Sequence, residues 1–271
     1  MEMGRIVELF EQRRAERERR IADFFRDTRP GFLIVQRPEF TVYSHCNTIA
    51  DICTHNRQYL EQWVQVEHTD ELPYLEPWMG TGVYANAYGC PYHWRENDSP
   101  HVLYRYHHIE EAAAAPYPDW RESEIMNRVL VCIDALKEMT GGRIPISMTD
   151  TQSPYDTATL ILEATELFAA CYEAPAAVAA FLDRLTDLII EFSRVQAERI
   201  GSGLRACPGH IFHGSPTLSG LAVSDDNLAV GSPAINAQFA LPADERISSA
   251  ARRRSRRSLP PSRTTRQHRS A

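Results

Sequence analysis

Short apolar runs alternate along this chain with longer segments of helical periodicity, and this alternation limits the fold more than any single motif does. The runs 32–35, 144–148 and 221–223 are bounded by turn residues, which predicts buried strands. Residues 120–140 and 175–200 repeat apolar side chains at helical spacing and predict long helices. Strands that alternate with long helices indicate a parallel α/β fold. About four strands can be identified in all.

The two ends of the chain differ from this middle part. In residues 4–27, apolar side chains recur along one face of a helix and arginines and glutamates fill the other face, which predicts an amphipathic helix. Residues 252–271 hold eight arginines and no acidic residue, which is typical of a solvated, disordered tail. We therefore expect three parts, namely a helical extension (1–30), an α/β domain (31–247) and an Arg-rich tail (248–271).

Charge and composition exclude several classes of function. The body up to residue 251 holds 21 basic residues against 36 acidic ones, so nucleic acid is not expected as a partner. Lys137 is the single lysine, which argues against a P-loop NTPase and against a pyridoxal-phosphate enzyme. No run approaches the roughly 18 apolar residues of a transmembrane helix, and the N-terminal 20 residues are charged. We therefore expect a cytoplasmic protein that has no membrane partner.

Several short sequence stretches point to a known protein family. Their order along the chain is more specific than any single stretch. They are Tyr84–Cys90, Pro145–Leu162, Tyr172–Pro175 at the head of a long helix, Ser224–Asp226, Ser232-Pro233 and Phe239–Pro242. Together they resemble the uroporphyrinogen decarboxylase (URO-D) superfamily, which includes the decarboxylases of porphyrin biosynthesis and zinc-dependent methyltransferases acting on corrinoid proteins or thiols. The resemblance covers roughly residues 30–247. It implies a (β/α)₈ TIM barrel, of which this chain would hold about the N-terminal half.

The same resemblance argues against decarboxylase chemistry in this chain. Arg37 is the one match to the decarboxylase segment that holds the carboxylates of the substrate. The catalytic aspartate of the family falls near Met79 or Gly80, and its active-site tyrosine falls near Leu160. The resemblance thus implies a parent enzyme that acts on a tetrapyrrole or is a corrinoid or thiol methyltransferase, with this chain impaired. The alternative is a non-enzymatic remnant or binding module stabilised by a partner chain.

The resemblance also implies where a cofactor would bind. In the methyltransferase branch, a His-x-Cys pair and a later cysteine hold zinc, and that region should begin just after Ile247. The Arg- and Ser-rich sequence begins there instead. We therefore expect a chain that is truncated or frameshifted after about residue 247, with zinc as a cofactor of the full-length parent and no cofactor assigned to this chain. A genuine basic tail is the alternative.

Polar residues at the ends of two predicted strands form the candidate site, because the mouth of a barrel gathers such ends into one pocket. Asp150 and Asp226 are the candidate catalytic residues, since a carboxylate whose pKa is raised by its neighbour can act as acid or base. The candidate substrate-binding residues are Arg37, Thr151, Gln152 and Asp225. Helix capping is the alternative role for such aspartates, and for Asp226 both roles stay open.

One further cluster holds soft metal ligands close together. Cys207 and His210 could bind zinc through a thiolate and an imidazole, with His213 nearby, although the spacing matches no standard site and Pro208-Gly209 favours a turn. The expected partners are a small molecule, either a tetrapyrrole or a methyl donor, and a corrinoid protein if the chain is a methyltransferase. Because an incomplete barrel leaves open sheet edges, a homodimer is also expected.

Overall fold

A computed structural model of the chain describes residues 1–26, 31–34, 46–95, 98–205 and 221–258, with side chains up to Ala251. Helices dominate these ranges. The described α-helices are α1 (Met3–Phe25), α2 (Ile49–Gln65), α3 (Val83–Ala87), α4 (Ile109–Ala114), α5 (Glu124–Thr140), α6 (Pro154–Ile161), α7 (Ala164–Glu173), α8 (Pro175–Ile200), α9 (Pro233–Ile235) and α10 (Leu241–Ser258). The described strands are β1 (Tyr92–His93), β2 (His101–Val102), β3 (Ile146–Ser147) and β4 (Leu204–Arg205).

Three segments run parallel and side by side at the centre of the fold. Leu75 pairs with Ile146, and Ile146 pairs in turn with Leu204. The backbone N–H of Leu75 donates to the carbonyl of Pro145 at 2.8 Å, and Ser147 donates back to Leu75 at 2.9 Å. Helices connect the segments, α5 before β3 and α6 to α8 before β4. The parallel α/β arrangement is therefore present, whereas the described strands do not close a barrel.

The long helices form where the periodicity predicts them. α5 ends at Gly141, whose φ of 61° gives the left-handed C-cap that closes a helix. α8 begins at Pro175, a residue whose fixed φ suits the first helical position. Its apolar ladder is buried, including Phe181, Leu185 and Phe192. α8 packs against helices α4 to α7 and α10, so one helix supplies much of the core.

Two of the predicted strands are not strands in the structure. Residues 31–34 form no ladder, because the side chain of Asp70 accepts from the N–H of Ile34 at 2.9 Å. Phe32 is 75% exposed there instead of buried. Residues 221–223 are only half-buried, and Ser224 makes one parallel pair with Gln152. Neither segment is a buried strand in its described residues, and Val35 lies outside them; apolar composition alone does not determine which segments pair.

The C-terminal helix crosses the boundary that the sequence predicts at residue 247. α10 continues to Ser258, and residues 259–271 lie outside the described ranges. The proposed division into an extension, a domain and a tail stays a prediction. None of the helices within the described ranges has both the length and the apolar character that a bilayer-spanning helix needs.

Candidate functional site

Asp150 is the centre of the polar cluster that follows β3. Its Oδ2 accepts a hydrogen bond from the indole Nε1 of Trp78 at 3.3 Å, and its Oδ1 accepts from Nε2 of Gln152 at 3.0 Å. The carboxylate is 7% exposed. Neutral N–H donors therefore hold both oxygens of a buried carboxylate at the C-terminal end of a parallel strand.

Thr149 and Thr151 connect this strand end to two helices. Oγ1 of Thr151 donates to the carbonyl of Thr149 at 3.0 Å and lies 3.4 Å from the hydroxyl of Tyr84 on α3. The backbone N–H of Thr149 donates to Oε1 of Gln196 on α8 at 2.9 Å. Burial raises the pKa of Tyr84, so its hydroxyl remains protonated and can donate a hydrogen bond. These bonds fix the orientation of the segment that carries Asp150.

A second group of acidic residues lies beyond Gln152. The N–H of Ser153 donates to the carbonyl of Ser224 at 2.6 Å, which brings residue 225 next to α6. Asp225 is half-buried, and burial, followed by the charges of Asp156 and Asp244, raises its pKa to about 7. Burial also raises the pKa values of Asp156 and Asp244. Three carboxyl groups from three elements therefore share one environment.

Helix capping explains part of this group. Ser153 caps α6 by accepting from the N–H of Asp156 at 3.0 Å. Asp156 instead turns its carboxylate toward the short helical turn Asp226–Ala229 and accepts from the backbone N–H groups of Asp226 and Asn227. The side chain of Asp226 is exposed. Asp156 therefore caps a turn distant in sequence, and its own helix is capped by a serine.

The structure thus brings some of the candidate residues together and separates others. Asp150, Thr151 and Gln152 form one cluster, and Asp225 belongs to the neighbouring group around Asp156. Their catalytic and binding roles stay predictions. The other candidates, Arg37, Cys207 and His210, lie outside the described residues.

The described residues do not fit the zinc that the family implies. Within the described ranges, no three His, Cys, Asp or Glu side chains are grouped so that they could hold a metal ion. His107 and His108 are exposed, and each faces a glutamate at 3.8 Å. This part of the chain therefore lacks the set of ligands that a protein zinc site needs.

Two aromatic residues near Asp150 were not predicted as polar partners. Trp78 supplies an N–H donor, although its place in a Pro-rich stretch is more typical of a core residue than of a pocket lining. Tyr92 donates its hydroxyl to the carbonyl of Met79 at 2.9 Å. Burial raises the pKa of Tyr92 well above its usual value, and the charge of Asp150 adds to that shift. The hydroxyl of Tyr92 is thus bonded to the residue that follows Trp78.

Part of the chain matches a known protein family. Residues 79–203 match the family model of uroporphyrinogen decarboxylase (URO-D). No curated protein sequence shows significant similarity to the chain. Among solved structures, a methyltransferase from Methanosarcina mazei superposes with a TM-score of 0.59 and 16% identity, covering 83% of this chain and 64% of the other. The chain therefore spans less than two thirds of that methyltransferase, and the likeness concerns the fold. Residues 79–203, a little under half of the chain, are therefore similar to the uroporphyrinogen decarboxylase family.

Proposed function

We propose that this protein binds a corrinoid or a methylated small molecule at the cluster of Trp78, Asp150 and Gln152, as a member of the methyltransferase-like part of the superfamily. The observation that carries the proposal is the position of Asp150, a buried carboxylate held by two N–H donors where a parallel strand ends. Barrel enzymes place their chemistry at that end of their strands. The fold shared with a methyltransferase supports the same choice.

The residues at the expected decarboxylase positions favour this choice over decarboxylation. Met79 is fully buried, Gly80 has no side chain, and Leu160 is a half-buried apolar residue. None of these can deliver or accept a proton, which decarboxylation of a tetrapyrrole requires. A tetrapyrrole remains the second candidate ligand, since a flat macrocycle could contact the indole of Trp78.

The cluster can orient a polar group of a ligand without any metal. The carboxylate of Asp150 accepts hydrogen bonds, and the amide of Gln152 offers a donor and an acceptor. Asp225, with a pKa of about 7, is partly protonated at neutral pH and can give or take a proton. If the protein is a corrinoid methyltransferase, a corrinoid-carrying protein is its partner.

Ligand titration tests the proposal directly. Purified protein is titrated with methylcobalamin and, separately, with uroporphyrin, and binding is followed by absorbance. We expect saturable binding of methylcobalamin, weakened about tenfold or more by Asp150→Asn, because a hydrogen bond to a charged group contributes about 1.5–3 kcal/mol. Asp134→Asn is the matched control, since Asp134 is exposed and binds Arg199 on another face. Absence of saturable binding by the folded protein, or undiminished binding in Asp150→Asn, would overturn the proposal.

An activity assay separates the two ligand classes. We expect no conversion of uroporphyrinogen, because the proton-transferring groups of the decarboxylases are replaced at residues 79, 80 and 160. Arg37→Ala is assayed beside the wild type, because Arg37 is the one residue that matches the carboxylate-binding segment of the decarboxylases. Measurable conversion that this variant abolishes would show that the protein is a decarboxylase and that the methyltransferase interpretation is wrong.

A further inference from the structure

A second group of polar side chains lies behind the strand end that carries Asp150. Asp150 and Gln152 bond to each other on one side of the segment that continues β3. Thr149 and Thr151 alternate with them along this segment, so they face the opposite side. On that side, the N–H of Thr149 donates to Oε1 of Gln196 on α8 at 2.9 Å. This group is therefore distinct from the candidate ligand contacts and lies between the strand end and the helices.

Three polar atoms of this group have no hydrogen-bond partner in the part of the chain that the structure describes. They are Oγ1 of Thr149, Oγ of Ser193 and Nε2 of Gln196. The three residues are 3%, 6% and 0% exposed, respectively, so bulk water does not reach them. A buried polar atom without a partner costs free energy, and buried polar groups in folded proteins are nearly always bonded. The three atoms therefore indicate a bound partner.

The residues that carry these atoms lie side by side. Ser193 and Gln196 are three positions apart on α8, and residues at that spacing are neighbours on one face of a helix. Gln196 in turn accepts from Thr149. Burial raises the pKa of Tyr84, and Thr151 and the two α8 side chains partly offset that rise, so all three are near its hydroxyl. One small ligand can therefore reach all three atoms.

The hydroxyl of Ser193 does not bond to its own helix, unlike two other buried hydroxyls. A hydroxyl inside a helix commonly donates to the carbonyl four residues before it. Thr186 does so to Leu182 at 2.7 Å on the same helix, and Thr140 does so to Leu136 at 3.1 Å on α5. Among the described residues, Ser193 has no such acceptor. Its hydroxyl is therefore available to a ligand between α8 and the strand end.

The chemistry of the group selects water as that ligand. The three atoms belong to two hydroxyls and one amide, which are neutral and offer no charge to an ion. The amide nitrogen can only donate, whereas each hydroxyl can donate and accept. A water molecule can accept from the amide and bond to both hydroxyls. Buried waters in proteins make about three such bonds, to polar groups that would otherwise have no partner.

We propose that one internal water molecule binds between Thr149, Ser193 and Gln196, and that it fixes the strand end that carries Asp150 to α8. The water site itself does not depend on the proposed function. Its effect on ligand binding rests on that function, because it assumes that the ligand binds at Asp150.

Oxygen-17 magnetic relaxation dispersion of the full chain counts its long-lived internal waters. Thr149→Val combined with Ser193→Ala removes two of the three partners, so this double variant should hold one long-lived water fewer than the wild type. Thr186→Val is the matched control on the same helix, because that hydroxyl bonds within the helix, and it should leave the number unchanged. An unchanged number in the double variant, or an equal loss in Thr186→Val, overturns the water site.

Thermal unfolding of Thr149→Val gives an independent answer, since valine keeps the shape of the side chain and removes the hydroxyl. If water satisfies that hydroxyl, the melting temperature should fall by about 2–4 °C, as expected for the loss of one hydrogen bond. If the site is dry, the substitution removes a polar group that had no partner, and the melting temperature should stay the same or rise. A melting temperature that does not fall therefore overturns the proposal.

Titration with methylcobalamin tests the effect on the ligand site. The double variant should bind about threefold more weakly, as expected when one neutral hydrogen bond is lost. Thr149→Ser keeps the hydroxyl and should bind like the wild type, and so should Thr186→Val, although it also loses a buried hydrogen bond. Unchanged affinity in the double variant overturns the positioning role and leaves the proposed function standing. If the wild type does not bind, the proposed function fails and the positioning role fails with it, while relaxation dispersion still decides the water site.

Discussion

The carboxylate of Asp156 accepts a hydrogen bond of 2.7 Å from the backbone N–H of Asp226, 70 residues further along the chain. A second bond of 2.9 Å comes from the N–H of Asn227. The turn that begins at Asp226 has no capping bond from its own N-cap side chain, so Asp156 supplies the cap from α6. This bond network holds Asp225 against two other carboxyl groups and thereby gives the region its sensitivity to pH.

We predict that stability falls as the pH rises from about 5 to about 8. Burial, then the charges of Asp156 and Asp244, raises the pKa of Asp225 from 3.8 to about 7. The folded protein therefore holds this proton more tightly than the unfolded chain does. The resulting stabilisation is complete below the usual pKa and is lost as the pH rises through about 7. Thermal melts of the wild type and of Asp225→Asn across this range measure the effect.

Comparing the wild type with Asp225→Asn separates the contribution of Asp225 from that of all the groups that the two proteins share. We expect Asp225→Asn to flatten the slope, by about 1–2 kcal/mol between the two ends of the range after allowance for solvent screening. Asp134→Asn is the control, because Arg199 lowers the pKa of that exposed aspartate. Equal slopes in the wild type and in Asp225→Asn would contradict the prediction.

Removing the cap itself should have two measurable effects. Asp156→Ala leaves the N–H groups of Asp226 and Asn227 without their acceptor, which should cost about 1–2 kcal/mol of unfolding free energy. It also removes the neighbouring charge that helps to raise the pKa of Asp225, so that pKa should fall. Denaturant unfolding and carbon NMR titration of the Asp225 carboxyl measure the two effects.

The conservative variant separates the two effects. Asp156→Asn removes the charge and keeps one acceptor oxygen, so it should lower the pKa of Asp225 with a smaller loss of stability than Asp156→Ala. Equal losses of stability in the two variants would show that the carboxylate does not act as a cap.

Local sequence signals predicted the helices well, because each signal acts within a few residues. Gly141 ends α5 and Pro175 begins α8 through backbone preferences that need no distant partner. A strand, by contrast, forms only where a neighbouring segment is available to pair with it. Residues 31–34 have the composition of a strand, yet Asp70 takes the N–H of Ile34. The missing information was the identity of the neighbouring segment, which is set by tertiary packing.

In the candidate site, too, the part that is continuous in sequence could be predicted, whereas the partners that are distant in sequence could not. The polar segment at residues 150–152 could be predicted from its place after a strand, and the structure gathers it into one cluster. Its partner Trp78 lies 72 residues away in sequence, and nothing local marks its indole as the donor to Asp150. In the sequence, the acidic group was visible as Asp225 and Asp226, and Asp156 was predicted to cap a helix. Asp244 joins it from α10, a contact that only the packing of that helix creates.

The core around α8 yields a prediction on stability. Phe192 is fully buried, and its ring centroid lies 6.0 Å from that of Tyr84 and 5.6 Å from that of Trp120. Phe192→Ala should cost about 3–5 kcal/mol, because it removes these contacts and leaves a cavity. Tyr172→Ala is the control, since Tyr172 is 73% exposed and should change stability by no more than about 0.5 kcal/mol. Denaturant unfolding compares them, and similar losses would contradict the packing described for α8.

The contact between Gly82 and Val102 gives the last prediction. The backbone at Gly82 accepts an alanine, but the added Cβ would lie 2.4 Å from Cγ1 of Val102, so the antiparallel hairpin of β1 and β2 must shift. Gly82→Ala should therefore cost about 1–3 kcal/mol, the usual effect of overpacking, and should loosen the hairpin. Val102→Ala removes the clashing methyl groups, so the double variant should recover most of that loss, as a double-mutant cycle by denaturant unfolding would reveal. Gly4→Ala is the control, because an added Cβ at Gly4 meets no atom within 4 Å. Additive losses in the double variant would mean that the hairpin does not rest on Gly82.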